Sequence, residues 1–189
     1  MEFRPRPNGE MSIPDPYPGA FRSVDCFRYT HRLVLAREPD ALLDAARRKV
    51  SYYVAEDYPV RFRVDGEERE LVVPEGMLTD LASVPWFARS LVGRVGPHLE
   101  AAIVHDFLYI AWQLIEGREP RRQDWRFANE VMFAALWSAR VGILREAAIR
   151  AALRLPVVSW RLFREREAFH FVELPPEARR RSRSAPPPA

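Results

Sequence analysis

The chain has 189 residues and a mass of 22.0 kDa, enough for one domain with modest extensions rather than a multidomain machine. Hydrophobic residues make up 48% and charged ones 29%, so a core can form without staples, and the lone Cys26 excludes both a disulfide framework and a Cys-based zinc ribbon. The formal net charge of +3 is carried by residues 175–189, with four arginines and one glutamate. This leaves 25 basic against 25 acidic residues in 1–174 and argues against a broad electropositive nucleic-acid groove.

Five of the 17 prolines fall in residues 5–18 and five more in 175–188. That pattern predicts a Pro-rich, loosely packed arm over 1–20, a single domain over 21–174 and an Arg/Pro-rich disordered tail over 175–189. There is no apolar run of about 18 residues to span a membrane, and Glu2, Glu10 and Asp15 stand where a signal peptide would place its apolar core.

Within the domain, Phe27 to Ala36 reads as a strand, and Pro39, Asp40 followed by Leu42, Leu43, Ala46 and Val50 reads as a short helix. Val60, Phe62 and Val64 alternate with Arg61 and Arg63, and Asp65-Gly66 turns the chain into Glu70 to Val73, which predicts a hairpin with one apolar face. An irregular stretch follows from Pro74 to Pro85. Helical periodicity then predicts helices over His98 to Ile115, over Arg121 to Arg140, and from Ile143 to about Phe169 with a restart at Pro156. The fold class expected is α+β: a small antiparallel sheet over about residues 24–73, packed on a bundle of three longer helices.

Two places are costly for a purely structural sequence. The first is His105, Asp106, Phe107, Leu108, Tyr109, inside the apolar run from Ala101 to Leu114. On a helix His105 and Tyr109 share a face while Asp106 sits about 100° round, and an apolar helix tolerates them only if each finds partners. Asp124 on the next helix is the partner expected for His105. A carboxylate on one ring nitrogen fixes the tautomer and leaves the other free to take a proton from water, giving a general-base dyad. If the first helix continues to Ile115, hairpin pairing sets Asp124 nearer Trp112, on the order of 10 Å from the level of His105, so the dyad requires an earlier helix end or a slanted crossing.

The second costly place is Thr79, Asp80, Leu81, Ala82, Ser83, Val84, Pro85. One reading has Asp80 or Ser83 capping a short helix around Trp86 to Val92. The other has Asp80 and Asp106 supplying hard oxygen ligands for a weakly held Ca²⁺.

These two motifs, preceded by Val72, Val73, Pro74, Glu75, Gly76, resemble over about residues 58–135 an uncharacterised family of short phage and prophage proteins, the domain of unknown function numbered 1353. The resemblance implies a viral setting, in the cytoplasm or on a virion, and no established activity. The His-Asp-x-x-Tyr helix is more distantly similar to secreted phospholipases A2. There the His acts as base on a water, the adjacent Asp binds Ca²⁺ with an upstream loop, and an Asp from the next helix supports the His. That similarity implies catalytic roles for His105, Asp124 and Tyr109, and metal-binding roles for Asp106 and Asp80, on a lipid or cell-envelope ester. The sequence departs from the phospholipase pattern in lacking its disulfides and its Gly-rich calcium loop.

The competing reading is a non-catalytic virion or assembly component that docks to phage structural proteins, with His105, Asp106, Tyr109 and Asp124 as a satisfied polar network pinning two helices. His31, His98 and His170, isolated in sequence, are expected at the surface or at element edges. Trp86, Trp112, Trp125, Trp137 and Trp160 are expected in the core, and the arginines of the third helix on a solvated face interleaved with Glu146, Glu165 and Glu167.

Overall fold

A computed structural model of the chain describes residues 4–5, 11–37, 52–79, 98–165 and 171. The helix expected over 39–50, Asp80, the Ser83 cap, Trp86, His170 and the 175–189 tail lie outside the described residues. The elements in chain order are β1 (Arg4–Pro5), β2 (Met11–Ser12), β3 (Val24–Tyr29), β4 (Leu35–Arg37), β5 (Tyr52–Val54), β6 (Tyr58–Val64), β7 (Glu67–Val73), β8 (Leu78–Thr79), α1 (Leu99–Ile110), a 3-10 turn (Ala111–Leu114), α2 (Arg122–Ser138), α3 (Ile143–Leu153) and α4 (Pro156–Arg164).

The class is α+β as expected, but the strands form two three-stranded antiparallel sheets, ordered β3-β6-β7 and β4-β5-β8, besides the short β1–β2 pair. The alternation read in Val60–Val64 sets the first sheet. Val60, Phe62 and Val64 are buried while Arg61 and Arg63 face water, and β7 pairs with β6 from Tyr58↔Val73 to Val64↔Glu67. The two-residue turn needs positive φ at both positions, which Asp65 (52°) and Gly66 (86°) supply. Asp65 also accepts the Arg22 and Ser23 amides at 2.8 Å, fastening the chain entering β3 to the hairpin tip.

The single strand expected over Phe27 to Ala36 is two strands in different sheets. β3 pairs with β6 through a bulge between Asp25 and Arg28, where Cys26 takes φ +50°, and the chain then crosses to β4 and the second sheet.

α2 packs on both β3 and α1. Its Phe127, Val131 and Ala135 are fully buried, and the Phe127 ring lies 6.1 Å from Phe62, itself stacked on Phe27 at 5.9 Å. Ile103, Val104, Phe107 and Leu108 of α1 complete the same core.

Two expectations about packing are corrected. The end of the N-terminal arm is packed, with Ile13 and Tyr17 buried. The Tyr17 hydroxyl donates to the Leu108 carbonyl and accepts the Trp112 amide at 3.1 Å, so it stands between the two groups that an α-helix would have bonded to each other. This intrusion explains why α1 stops at Ile110 and continues only as a 3-10 turn. Trp137, expected in the core, is 74% exposed, whereas Trp112 is buried, and His98 stands at the N-terminal edge of α1 as expected, though buried there. On the arginine-rich face of α3 and α4, Arg150 pairs with Glu146 and Arg161 with Glu165, each four residues apart. Among the described residues no helix is long and apolar enough to cross a membrane.

Candidate functional site: a histidine held by an amide

His105 and Tyr109 lie one turn apart on the face of α1 that meets α2, their rings 4.1 Å between centroids. Their shared partner is Asn129 of α2. The Asn129 Oδ1 accepts from His105 Nε2 at 3.1 Å and from the Tyr109 hydroxyl at 3.0 Å. Both His105 and Asn129 are buried, at 7% and 6% exposure. An amide oxygen only accepts, so this contact requires the proton on Nε2 and leaves the lone pair on Nδ1. Among the described residues the ring makes no other hydrogen bond.

Burial pushes the His105 imidazole down to about 4, with the Asn129 contact acting in the opposite sense. The ring is therefore neutral across the ordinary pH range. Burial also drives the Tyr109 phenol above its usual range, so it remains a donor. Its ring abuts Phe163 of α4 edge-on at 5.3 Å, which brings a third helix to the site.

The expected His105–Asp124 dyad does not form. Asp124 is only 2% exposed and is gripped by Arg118, whose Nη2 lies 3.0 and 2.9 Å from its two oxygens. The same guanidinium bonds Asp15, and its carbon lies 5.4 Å from the Tyr17 ring centroid, so Asp124 belongs to a clasp that holds the N-terminal segment against the turn between α1 and α2. Burial raises the Asp124 carboxyl above its ordinary value against the opposing pull of Arg118.

The axial offset noted from the sequence is the physical reason. Asn129 lies five residues beyond Asp124, about 7.5 Å further along α2, and that is the level of His105. The signal was present: in an antiparallel pair turning at Gly117, the residue opposite His105 is twelve positions beyond the turn, which is Asn129. A carboxylate is the commoner partner of an imidazole, but the level at which the two helices pair selects the amide of Asn129.

Asp106 is half-buried and its Oδ2 accepts from the Thr79 hydroxyl at 3.3 Å, tying β8 to α1. The second expected metal ligand, Asp80, follows Thr79 directly in the chain. Among the described residues no group of three or more His, Cys, Asp or Glu side chains gathers around a common point. The structure thus brings His105, Tyr109 and Asn129 together, with Asp106 beside them in sequence and tied to Thr79, and separates Asp124 from them.

Comparison with known proteins gives one match. No curated protein and no solved structure matches the chain. A family model described as a protein of unknown function, DUF1353, matches residues 52–153, a span that takes in β5 to β8 and α1 to α3 and with them His105, Asp106, Tyr109, Arg118, Asp124 and Asn129, while Asp15, Tyr17 and Phe163 lie outside it. The chain belongs to the DUF1353 family.

Proposed function

We propose that the chain is an ester hydrolase in which His105 is the general base and Asn129, not Asp124, is its positioning residue. The observation that supports this most is the single amide oxygen that takes both the His105 Nε2 proton and the Tyr109 hydroxyl. It fixes the tautomer that leaves Nδ1 able to remove a proton from water as the oxygen attacks an ester carbonyl. Asn129 stands on the helix from which the phospholipase A2 similarity implies an Asp, and Tyr109 takes the supporting role that similarity implies. Replacing a carboxylate with an amide keeps the orientation and gives up the charge that would raise the imidazole. The base is therefore weak but unprotonated down to about pH 4.

Asp106 and Asp80 are the residues proposed to hold Ca²⁺, with the Thr79 contact as the reason for bringing the two stretches together. The ion would supply Lewis-acid polarisation of the ester carbonyl. The substrate class proposed is a lipid or cell-envelope ester, in the phage setting that the sequence motifs suggest.

The test is hydrolysis of acyl esters of graded chain length, and of phospholipid vesicles, with and without millimolar Ca²⁺. Wild type is expected to turn over at least one ester, and His105→Gln to lose at least about 100-fold while keeping its circular dichroism. Equal turnover by the variant, or none by wild type, overturns the assignment. A second reading is favoured by the 7% exposure of His105: a non-catalytic assembly component whose network only pins α1 to α2. Under that reading His105→Gln loses stability and no ester is hydrolysed by either protein.

A further inference from the structure

We propose that the outer face of α3 seats the protein on an anionic lipid surface, with Ile143 and Leu144 among the acyl chains and arginines against the headgroup phosphates. At about 100° per residue, Ile143, Ala147, Ala151 and Leu144, with Arg154 just past the helix end, fall within one arc of about 100°. Ile149, Ala152 and Leu153 occupy the opposite arc and are buried, whereas every member of the first arc is exposed, Ile143 and Leu144 at 86% each. α3 is thus as apolar toward solvent as toward the core, and Arg154 is the one charged member of its outer arc.

The exposed indole of Trp137 belongs to the same end of the α2–α3 pair. The Arg150 guanidinium lies 4.3 Å from the Phe133 ring centroid, which sets the level at which the two helices meet. From there Trp137 is one turn further along α2 and Ile143 two turns back along α3, both toward the four residues that join them. That connection is a tight C-cap: Arg140, at φ 50°, and Val141 donate their amides to the Trp137 and Leu136 carbonyls at 3.1 and 3.2 Å. Val141 is buried and anchors the turn, which leaves Arg140 exposed at its tip beside an indole of the kind that settles at membrane–water boundaries.

Charge selects the occupant. Residues 140–165 contain six arginines and two glutamates, and both glutamates are held in ion pairs, Glu146 by Arg150 and Glu165 by Arg161. Arg140 and Arg154, at the two ends of the apolar arc, have no ion pair among the described residues. A second copy of α3, antiparallel and centred on Ala147, would set Arg154 of one chain against Arg140 of the other, and the 175–189 tail, with four arginines and one glutamate, carries the same sign. An anionic bilayer meets both requirements, since it offers phosphates to the arginines and acyl chains to Ile143 and Leu144. With 11 residues, about 16 Å, α3 lies on such a surface and cannot cross its roughly 30 Å core.

The experiment is co-sedimentation of the full-length protein with vesicles of phosphatidylcholine alone or with about 30% phosphatidylglycerol. Binding is scored without ester turnover, so it stands or falls apart from the His105 assignment. Binding to the anionic vesicles is expected, at least tenfold weaker on phosphatidylcholine alone. Ile143→Ser/Leu144→Ser should weaken it at least tenfold, and Arg140→Gly/Arg154→Ser about fivefold for each arginine removed. All four positions are exposed and glycine suits the φ of Arg140, so circular dichroism should be unchanged in both variants. No binding to the anionic vesicles, or equal binding by wild type and the variants, overturns the proposal. A dimer in analytical ultracentrifugation that Ile143→Ser/Leu144→Ser dissolves, without vesicle binding by wild type, also overturns it and gives the face to a second copy.

Discussion

His105 is a buried imidazole whose only hydrogen-bond partner among the described residues is neutral, and this sets a pH signature that can be read without any substrate. Its proton affinity is lowered by burial to about 4, below the ordinary value of 6.5 that it regains on unfolding. Between those two pH values the unfolded chain binds the extra proton, so stability falls as pH drops from about 6.5 to about 4 and flattens below. The expected loss is about 3 kcal/mol across that window. It is read as the difference in urea stability between wild type and His105→Gln over pH 4 to 7, because the carboxylates titrating in the same range contribute to both proteins. A difference that does not change with pH would show that the ring is solvated or already charged.

Asp124 carries the opposite lesson at the same scale. Arg118→Ala leaves a carboxylate of 2% exposure without its partner and is expected to cost about 3–5 kcal/mol in urea unfolding. Arg118→Met combined with Asp124→Asn should recover much of that, since no charge is then stranded.

Among the elements, the ones written by local pattern were legible. The β6–β7 hairpin follows from three alternating apolar residues and Asp65-Gly66, and the helix boundaries near Gly117, Gly142 and Pro156 follow from breakers that act within a turn of chain. What could not be read was set by contacts distant in sequence. The end of α1 at Ile110 depends on a hydroxyl 91 residues upstream of Leu108, and no residue near 110 announces it. The bulge at Cys26 likewise depends on the register with β6, which a strand pattern does not encode. Tyr17→Phe should cost about 1–2 kcal/mol, because it removes two bonds in a buried position. If the Leu108 carbonyl and the Trp112 amide then bonded to each other, the helix would extend and amide exchange at Trp112 would slow. Faster exchange there is expected instead, because the packing of Tyr17 holds the two groups apart.

For the molecule as a whole, one sheet, α1 and α2 share a single core, and the site lies where α1 and α2 face each other within it. The sequence motifs identified His105, Tyr109 and Asp106 by their spacing on one helix, because a helix converts spacing into direction. They did not identify Asn129, because pairing between helices is decided by where the turn falls. The DUF1353 match spans both helices together with β5 to β8, so His105, Tyr109 and Asn129 fall within the family unit, while β3, Tyr17 and Phe163, which pack against those helices, lie outside it. The most direct experiment on that site is the pH dependence of kcat/KM for ester hydrolysis in wild type and Asn129→Asp measured side by side. A carboxylate against Nε2 should raise the imidazole, so the acid limb is expected near pH 4 in wild type and at least one pH unit higher in the variant. Superimposable profiles, or turnover in neither protein, would show that His105 is not the base.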